Sequence, residues 1–343
     1  MPITDAIILA GGFGTRLRPL TARTPKPLLS VGGRPFLETL FARLAQAGVQ
    51  RVVLSVHHQA QVLRRALPNL RHFGLGIVLR REPRPLGTGG AIRFAWPDPA
   101  KPCLVLNGDV LSDFDIRELQ RQHRKTSATA TLWAIEVEHT EAFGVLETDA
   151  ERRVVKFVEK PRPGQSASRL INAGLYALEP EVLKCIMPGR PSSVEREVFP
   201  LLLQQGRSVR VCVAPSPPYW NDIGTPEAYL RANLDVLRKK LWKGRGLARS
   251  LWGKPDRNSN LLAASVRIAV DAKVSLSILG PSCRVDEGAT VTGSILQHGC
   301  RISTGASLEG VLLAQGVHVG ARCRIKAGAV LGPQSRLAQD TRL

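Results

Sequence analysis

The sequence lacks any apolar run near the roughly 20 residues that a membrane-spanning helix needs, so an integral helical membrane protein is excluded. Its first residues carry no basic stretch, and the short apolar run Ala6 to Ala10 ends at glycines rather than at a cleavage site. That run reads as a strand, not a signal peptide. No C-x-x-C pair occurs among the six cysteines, so neither zinc nor a disulfide framework is expected, and reduced thiols place the protein in the cytoplasm. The phosphate-loop signature G-x-x-x-x-G-K-[ST] is missing. Seven histidines, including the neighbours His57 and His58, show neither triad nor metal spacing and read as surface or core residues. Acidic residues are scarce beside basic ones, 28 against 48, for a formal net charge of +20.

That charge attracts nucleotides, phosphosugars, nucleic acid or anionic membranes without choosing among them. Arginines are spread along the chain and read as a solvated surface. One concentration stands out: eight Lys or Arg residues face the single Asp256 between Leu237 and Asn258. It reads as a linker, since Trp242 and Trp252 alone make a poor platform for stacking bases. Neither a nucleic-acid nor a membrane partner is expected.

What is present is alternation. At 343 residues the chain is long for one domain, and from Ile3 to about Ser216 short Val, Ile and Leu runs alternate with segments of helical period. Strands are expected at Ala6–Leu9, Val52–Val56, Gly76–Leu79, Cys103–Leu106 and Ala128–Val137, with helices at Pro35–Ala47, Gln59–Leu67, Thr88–Phe94 and Asp115–His123. Gly144–Glu147, Val154–Glu159, Asn172–Leu178 and Ser208–Val213 extend the sheet, and a helix follows over Pro226–Leu241. The class is α/β, a Rossmann-like mixed sheet.

The C-terminal part repeats. A shift of 17 residues aligns Ile278 with Ile295 and Leu312, Val285 with Ile302 and Val319, and Val291 with Leu308 and Ile325, while Leu279, Leu296, Leu313 and Val330 share the grid. Cys283 aligns with Cys300 and Gly288 with Gly305. One inward aliphatic per short face suits a triangular β-helix of three to four coils. The expected boundaries are 1–235 for a catalytic domain, 236–262 for the basic linker and 263–343 for the repeats.

After the first strand comes L-A-G-G-F-G-T-R-L-R-P-L-T, Leu9 to Thr21, then P-K-P at Pro25 to Pro27. Gly11, Gly12 and Gly14 let backbone N–H groups close on phosphates, and Arg16 and Lys26 add cations suited to a triphosphate. The spacing is not the dinucleotide G-x-G-x-x-G. The run closely resembles the signature loop of the sugar nucleotidyltransferase family, which includes mannose-1-phosphate guanylyltransferases, glucose-1-phosphate thymidylyltransferases and heptose-phosphate guanylyltransferases. The resemblance extends over about residues 3 to 232 through L-G-T-G-G-A at Leu86–Ala91, N-G-D at Asn107–Asp109, F-G-V at Phe143–Val145, V-E-K-P at Val158–Pro161, N-A-G at Asn172–Gly174 and W-N-D-I-G-T-P at Trp220–Pro226. The repeats resemble the hexapeptide left-handed β-helix, and their handedness comes from that likeness alone.

The resemblance implies a reaction: a nucleoside triphosphate and a sugar 1-phosphate give an NDP-sugar and pyrophosphate, with Mg²⁺ held by Asp109 and Asp222. Arg16 and Lys26 would stabilise the departing pyrophosphate. Leu9, Ala10, Gly11, Gly12, Gly14 and Thr15, with Glu82, Gly87 and Thr88, are the expected nucleotide contacts. Lys160 would hold the sugar phosphate, Glu159 would accept from sugar hydroxyls, Asn172 and Gly174 would form a wall for the ring, and Gly144 would leave room for it. If Glu82 faces the base, GTP is favoured, because a carboxylate accepts from both N1–H and the 2-amino group of guanine; Glu82 can equally pair with a neighbouring arginine. Gly33–Glu38 with Leu86–Ile92 is similar to the heptose branch, and the appended β-helix to the mannose branch, whose product GDP-mannose feeds polysaccharide biosynthesis. Mannose 1-phosphate is the first choice, with heptose or glucose 1-phosphate as alternatives. A noncatalytic regulatory subunit has the same layout but usually loses parts of the signature. Acyl transfer based on His298 or His318 has the short repeat against it. The apolar coils are expected to serve assembly as a homo-oligomer.

Overall fold

The computed structural model describes residues 2–214, 218–238 and 252–343. Most of the basic stretch expected as a linker, with Trp242, lies outside the described residues. The chain divides into two compact units, Met1–Gly12 with Leu40–Trp220, and Phe13–Thr39 with Asn221–Leu343. These units do not follow the boundaries 1–235, 236–262 and 263–343. Residues 13–39 join the C-terminal half, and the strand Leu261–Leu262 already begins the coils inside the stretch expected as linker.

The first unit is built on a nine-stranded mixed sheet. Its main path runs Val154–Glu159, Gly144–Thr148, Leu170–Leu178, Cys103–Asn107, Asp5–Leu9, Arg51–Val56 and Gly76–Arg81. Asp5–Leu9 lies parallel between Arg51–Val56 and Cys103–Asn107, in register with Ile7 opposite both Val53 and Val105. These strands are continuous apolar runs because both of their faces are buried, and Ile7, Val53 and Val105 are essentially inaccessible. Leu170–Leu178 is antiparallel to its neighbours. It pairs with Cys103–Asn107 through its second half and with Ala130–Glu136 along most of its length, with an irregularity between Asn172 and Tyr176. The strand expected over Ala128–Val137 is the shorter Ala130–Glu136.

Helix limits follow capping chemistry. Asp115 accepts from the N–H groups of Arg117 at 3.0 Å and Glu118 at 3.3 Å, and Ser127 ends the helix Ile116–Thr126 in the left-handed region. Arg124 and Lys125 favour its C-terminal turn, so the helix runs three residues past the expected His123. Residues 180–204 carry elements that the apolar period did not reveal: a turn at Pro180–Cys185, a wide turn at Val194–Val198 and the helix Phe199–Gln204. Pro180, Pro191 and Pro200 break their pattern into pieces too short to read.

In the second unit, Thr225 caps the helix Pro226–Leu237 by accepting from Ala228 N–H, and Pro226 fits the first turn. That helix holds the hairpin of residues 30–35: Gly32 N–H donates to Asn233 Oδ1 at 2.9 Å, and Tyr229 O–H donates to the Ser30 carbonyl at 2.6 Å. A methyl on Gly32 would meet Val236 Cγ1 at 2.8 Å. The C-terminal coils stack parallel strands in three sheets, as in a left-handed β-helix, and two of the faces carry five strands each. Val285, Ile302 and Val319 form one interior column, and Val291, Leu308 and Ile325 another. One expected alignment is corrected. Val330 stacks on Leu312 and Leu331 on Leu313, because the last turn is 18 residues rather than 17. The same step recurs from His318 to Arg336, so the extra residue lies between Ile325 and Val330.

Candidate active site

The site residues expected from sequence fall into two groups, one in each unit. In the first unit they collect at the carboxyl ends of the parallel strands, where open α/β sheets bind ligands. Because Leu9 pairs with Asn107, the N-G-D turn follows immediately beside the glycine loop, and Gly108 N–H donates to the Leu9 carbonyl at 2.9 Å. A methyl on Gly108 would drive into that carbonyl, so the turn requires glycine. Ala10 N–H donates to the Ser55 carbonyl at 2.9 Å, and Asp109 is half-buried.

Glu82 organises three of these segments. It is 3% exposed, and its Oε1 accepts from Ser55 Oγ at 2.9 Å while its Oε2 accepts from Leu86 N–H at 3.0 Å. A methyl on Gly11 would sit 2.7 Å from Oε1. The alternative in which Glu82 pairs with an arginine is corrected: its partners are a hydroxyl and an amide. Gly87 takes φ +66°. The helix it opens, Gly87–Ala95, is tied to residues 192–195, with Gly89 N–H donating to the Ser192 carbonyl and Ser192 N–H to the Leu86 carbonyl, both at 2.9 Å. Thr88 Oγ1 donates to Glu195 Oε2 at 2.6 Å and accepts from Val194 N–H at 2.9 Å. Thr88 therefore positions this corner through protein partners.

The residues expected to hold a sugar lie in the same unit. Gly174 takes φ +77°, and a methyl there would reach Asn107 Nδ2 at 2.8 Å. Asn172 accepts from Gly174 N–H at 3.1 Å and donates to the Tyr176 hydroxyl at 2.8 Å. Gly144 faces Phe157 and Glu159, whose Oε2 would be 2.8 Å from an added methyl. That Glu159 oxygen is buried without a hydrogen-bond partner, as is Asn107 Oδ1. Burial first, then the neighbouring Glu195 carboxylate, pushes the Glu159 carboxyl above its usual range, against the pull of Lys160 and Arg196. The Tyr176 phenol is likewise raised by burial and then by Glu195, with Glu159 and Asp109 adding to it. Lys160 is exposed and holds φ +52°, a conformation unusual for a side chain with a Cβ. Phe143 and Trp220 meet edge to face at 5.2 Å, and Trp220 Nε1–H donates to the Ala173 carbonyl.

Sequence reasoning missed Glu195, Tyr176 and Ser192. The signal available was the pair of acids in Ser193-Val194-Glu195-Arg196-Glu197, but such a run most often marks a solvated face.

In the second unit Gly14 turns the loop at φ +61°, leading through Thr15 into the short turn that holds Arg16. Arg16 Nη2 lies 4.0 Å from Asp222 Oδ2 and Lys26 Nζ lies 3.9 Å from Asp222 Oδ1. A methyl on Gly224 would crowd Arg16 Nη2 at 2.8 Å and Asp222 Oδ1 at 2.9 Å. Three of the four residues expected to handle metal and pyrophosphate, Arg16, Lys26 and Asp222, thus converge, with both cations at the outer limit of ion-pair distance. Arg16 is 67% exposed, so it keeps donors for an anion. The chain passes from one unit to the other at Gly12–Phe13 and again at Trp220–Asn221, inside the two motifs themselves.

Among the described residues no three His, Cys, Asp or Glu side chains cluster as a metal cage. Asp109 in the first unit and Asp222 in the second are each carboxylates of the kind that suits magnesium, a hard ion usually held by one or two carboxylates with the remaining positions left to water and phosphate. The six cysteines are free thiols, all buried except the half-buried Cys185.

Residues 5–239 match the family described as nucleotidyl transferase, and residues 254–340 match one described as GlmU-like, C-terminal hexapeptide. The mannose-1-phosphate guanylyltransferase of Mycobacterium tuberculosis is 42% identical over 235 residues, covering 68% of this chain and 65% of that protein. The mannose-1-phosphate guanyltransferase of Pichia angusta is 35% identical over 265 residues, covering 76% of this chain and 67% of that protein. The chain therefore spans about two thirds of the length of these curated relatives, and slightly less for the first. Among solved structures, HddC from Yersinia pseudotuberculosis, complexed with GMP-PN, matches 68% of this chain and 100% of its own at a TM-score of 0.57 and 29% identity.

Proposed function

The chain belongs to the nucleotidyl transferase family, and from that premise we propose that it transfers GMP from GTP to mannose 1-phosphate, forming GDP-mannose and releasing pyrophosphate. The convergence of Arg16 and Lys26 on Asp222 carries this reading, because two cations within 4.0 Å of one carboxylate suit a departing pyrophosphate. An oxygen of the sugar phosphate attacks the α-phosphorus, a new P–O bond forms there, and the bond to the bridging oxygen of the β-phosphate breaks. No protein nucleophile takes part.

Magnesium, held by Asp109 and Asp222, would neutralise phosphate charge. The chain does the rest. Gly11, Gly12, Gly14 and Thr15 offer a glycine-freed backbone to the triphosphate, Leu9 and Ala10, whose backbone is bonded to Gly108 and Ser55, line the nucleotide, and Arg16 and Lys26 receive the charge that accumulates on pyrophosphate. Lys160 holds the sugar phosphate, while Glu159, with an unspent buried oxygen, accepts from a sugar hydroxyl. Gly144 and Gly174 keep that space open, and Asn172 lines it. Guanine recognition by Glu82 uses the second lone pairs of its carboxylate, since the first are taken by Ser55 and Leu86.

The retention of Arg16, Lys26, Asp109, Lys160 and Asp222 favours a catalyst over a regulatory subunit. Location in the cytoplasm and assembly as a homo-oligomer are part of the proposal, and sedimentation velocity of the full chain reads the latter. No helix among the described residues is long and apolar enough to cross a membrane. The deciding experiment is pyrophosphate release with Mg²⁺ over GTP, UTP, dTTP, CTP and ATP against mannose, glucose and heptose 1-phosphates. Activity with GTP and mannose 1-phosphate supports the proposal. A single response with another pair replaces the substrates, and none with folded protein refutes the reaction.

A further inference from the structure

One outer face of the coils stacks arginines in register, with one histidine among them. Arg267 lies opposite Arg284, Arg284 opposite Arg301, Arg301 opposite His318, and His318 opposite Arg336. Neighbouring parallel strands are about 4.8 Å apart, so like charges are set side by side, an arrangement that repels unless something offsets it. The inward partners of these residues, such as Ile268, Val285 and Ile302, belong to the apolar interior, which fixes the column to the outside.

The chain supplies one counter-charge within the column. Asp286 receives Arg284 Nε at 2.5 Å on Oδ1, and Arg301 Nε approaches its Oδ2 at 3.6 Å. One carboxylate therefore faces the Nε of two successive arginines, one on each oxygen, and among the described residues the terminal Nη groups of both make no hydrogen bond. The clip is itself sheltered, at 13% exposure, while Arg284 and Arg301 are more than half exposed. Arg267 has no acidic partner among the described residues. Around these groups lies a trough of about 490 Å³, walled by Arg267, Arg284 and Arg301, floored in part by Ala269 and Thr304, with Asp286 and Glu287 as its acidic members.

We propose that this trough is a second anion site, separate from the catalytic residues, that takes the oligophosphate group of a nucleotide or an inorganic oligophosphate. Two guanidinium forks held by one carboxylate, one strand spacing apart, match adjacent phosphates, and Arg267 adds a third fork. The volume suits a small ligand and not a long polymer. The site does not depend on the identity of the reaction.

The test is calorimetric titration of the full chain with inorganic tripolyphosphate and, separately, with GTP. Changing Arg267, Arg284 and Arg301 together to Gln should remove one tripolyphosphate equivalent per chain, or weaken it by about tenfold or more, with pyrophosphate release and the circular dichroism spectrum unchanged. The exposed pair Arg64→Gln and Arg65→Gln on another element should leave that binding intact. Unchanged binding in the triple variant, or equal weakening in the Arg64 and Arg65 variant, overturns the site. Asp286→Asn separates a built site from bare charge: weaker binding supports the clip, and tighter binding overturns it. Tripolyphosphate and GTP taken equally at this site assign it to phosphate alone, whereas GTP without tripolyphosphate assigns it to a nucleotide.

Discussion

The nine-stranded sheet and the C-terminal coils spend their sequence in opposite ways. In the sheet, the residues proposed for function sit where regularity breaks: at Gly108 against a carbonyl, at Lys160 in the left-handed region, and at the Asn172–Tyr176 irregularity of a strand. In the coils, one rule repeats, with Val285, Ile302 and Val319 inward and Arg284, Arg301 and His318 outward. Irregular sequence concentrates unlike groups at a point, whereas periodic sequence multiplies one group along a line. The first suits chemistry on a bound molecule, and the second suits stability and surface charge.

The contrast breaks most sharply at Asp109. Asp109→Ala should lower pyrophosphate release by about 10²- to 10³-fold or more with the fold intact by circular dichroism, and near-normal turnover would remove this residue from the site. The coils should answer to stability instead. Ile302, fully buried in the interior column, should cost about 2 to 5 kcal/mol when changed to Ala, read by urea denaturation. A loss under 1 kcal/mol, on the order of a tolerated surface change, would mean that the coils relax around the gap.

The sheet also carries a pH response that the coil interior has no titratable side chain to match beyond its cysteines. His123 is buried, bonds to Thr131 Oγ1 at 2.8 Å and Glu179 Oε1 at 3.1 Å, and burial pulls its pKa down from 6.5 to about 4. Burial also raises Glu179, followed by the effect of Glu181. An ion pair would move the two the other way, so the imidazole in this contact is the neutral form. The unfolded chain protonates this histidine first, so its contribution is full above about pH 6.5 and is lost as pH falls toward 4. At about 1.4 kcal/mol per pKa unit, that is up to about 3 kcal/mol, partly offset by Glu179, which binds its proton more readily when folded. His123→Gln should flatten the fall in stability between pH 7 and pH 4.5, and an unchanged slope would assign the fall to other groups. The smallest effect is expected at Gly87. Its φ of +66° and the nearby Ser192 carbonyl make Gly87→Ala cost about 1 to 3 kcal/mol, with a higher KM for the nucleotide than for the sugar phosphate. Equal changes in both would place the strain outside the nucleotide corner.

The two regions also differ in how well sequence alone describes them. The parallel strands were legible because doubly buried runs such as Val52–Val56 are apolar but for one small residue, Ser55, and the glycine loop because its spacing is specific. The interior columns were legible from a shift of 17. The 18-residue last turn was not, since Val330 satisfies the wrong alignment as well as the right one, and only pairing with Leu312 distinguishes them. Glu195 escaped because its importance lies in Thr88, 107 positions away, and in Glu159 and Tyr176, none of which its own neighbourhood announces. The assignment of residues 13–39 to the C-terminal unit was equally out of reach, because the bonds that join them link residues far apart in sequence, such as Gly32 to Asn233, 201 positions apart.

That last bond has a consequence during synthesis. At about 5 to 20 residues per second, a ribosome that has placed Gly32 needs about 10 to 40 s more to make Asn233, 201 positions later. Over that interval the Asp5–Leu9 strand can pair with Arg51–Val56 and Cys103–Asn107 as they emerge, while Arg16 and Lys26 stay without the carboxylate of Asp222. The nascent chain can thus pair most of its sheet before the charge arrangement proposed for catalysis, Arg16 and Lys26 against Asp222, is complete.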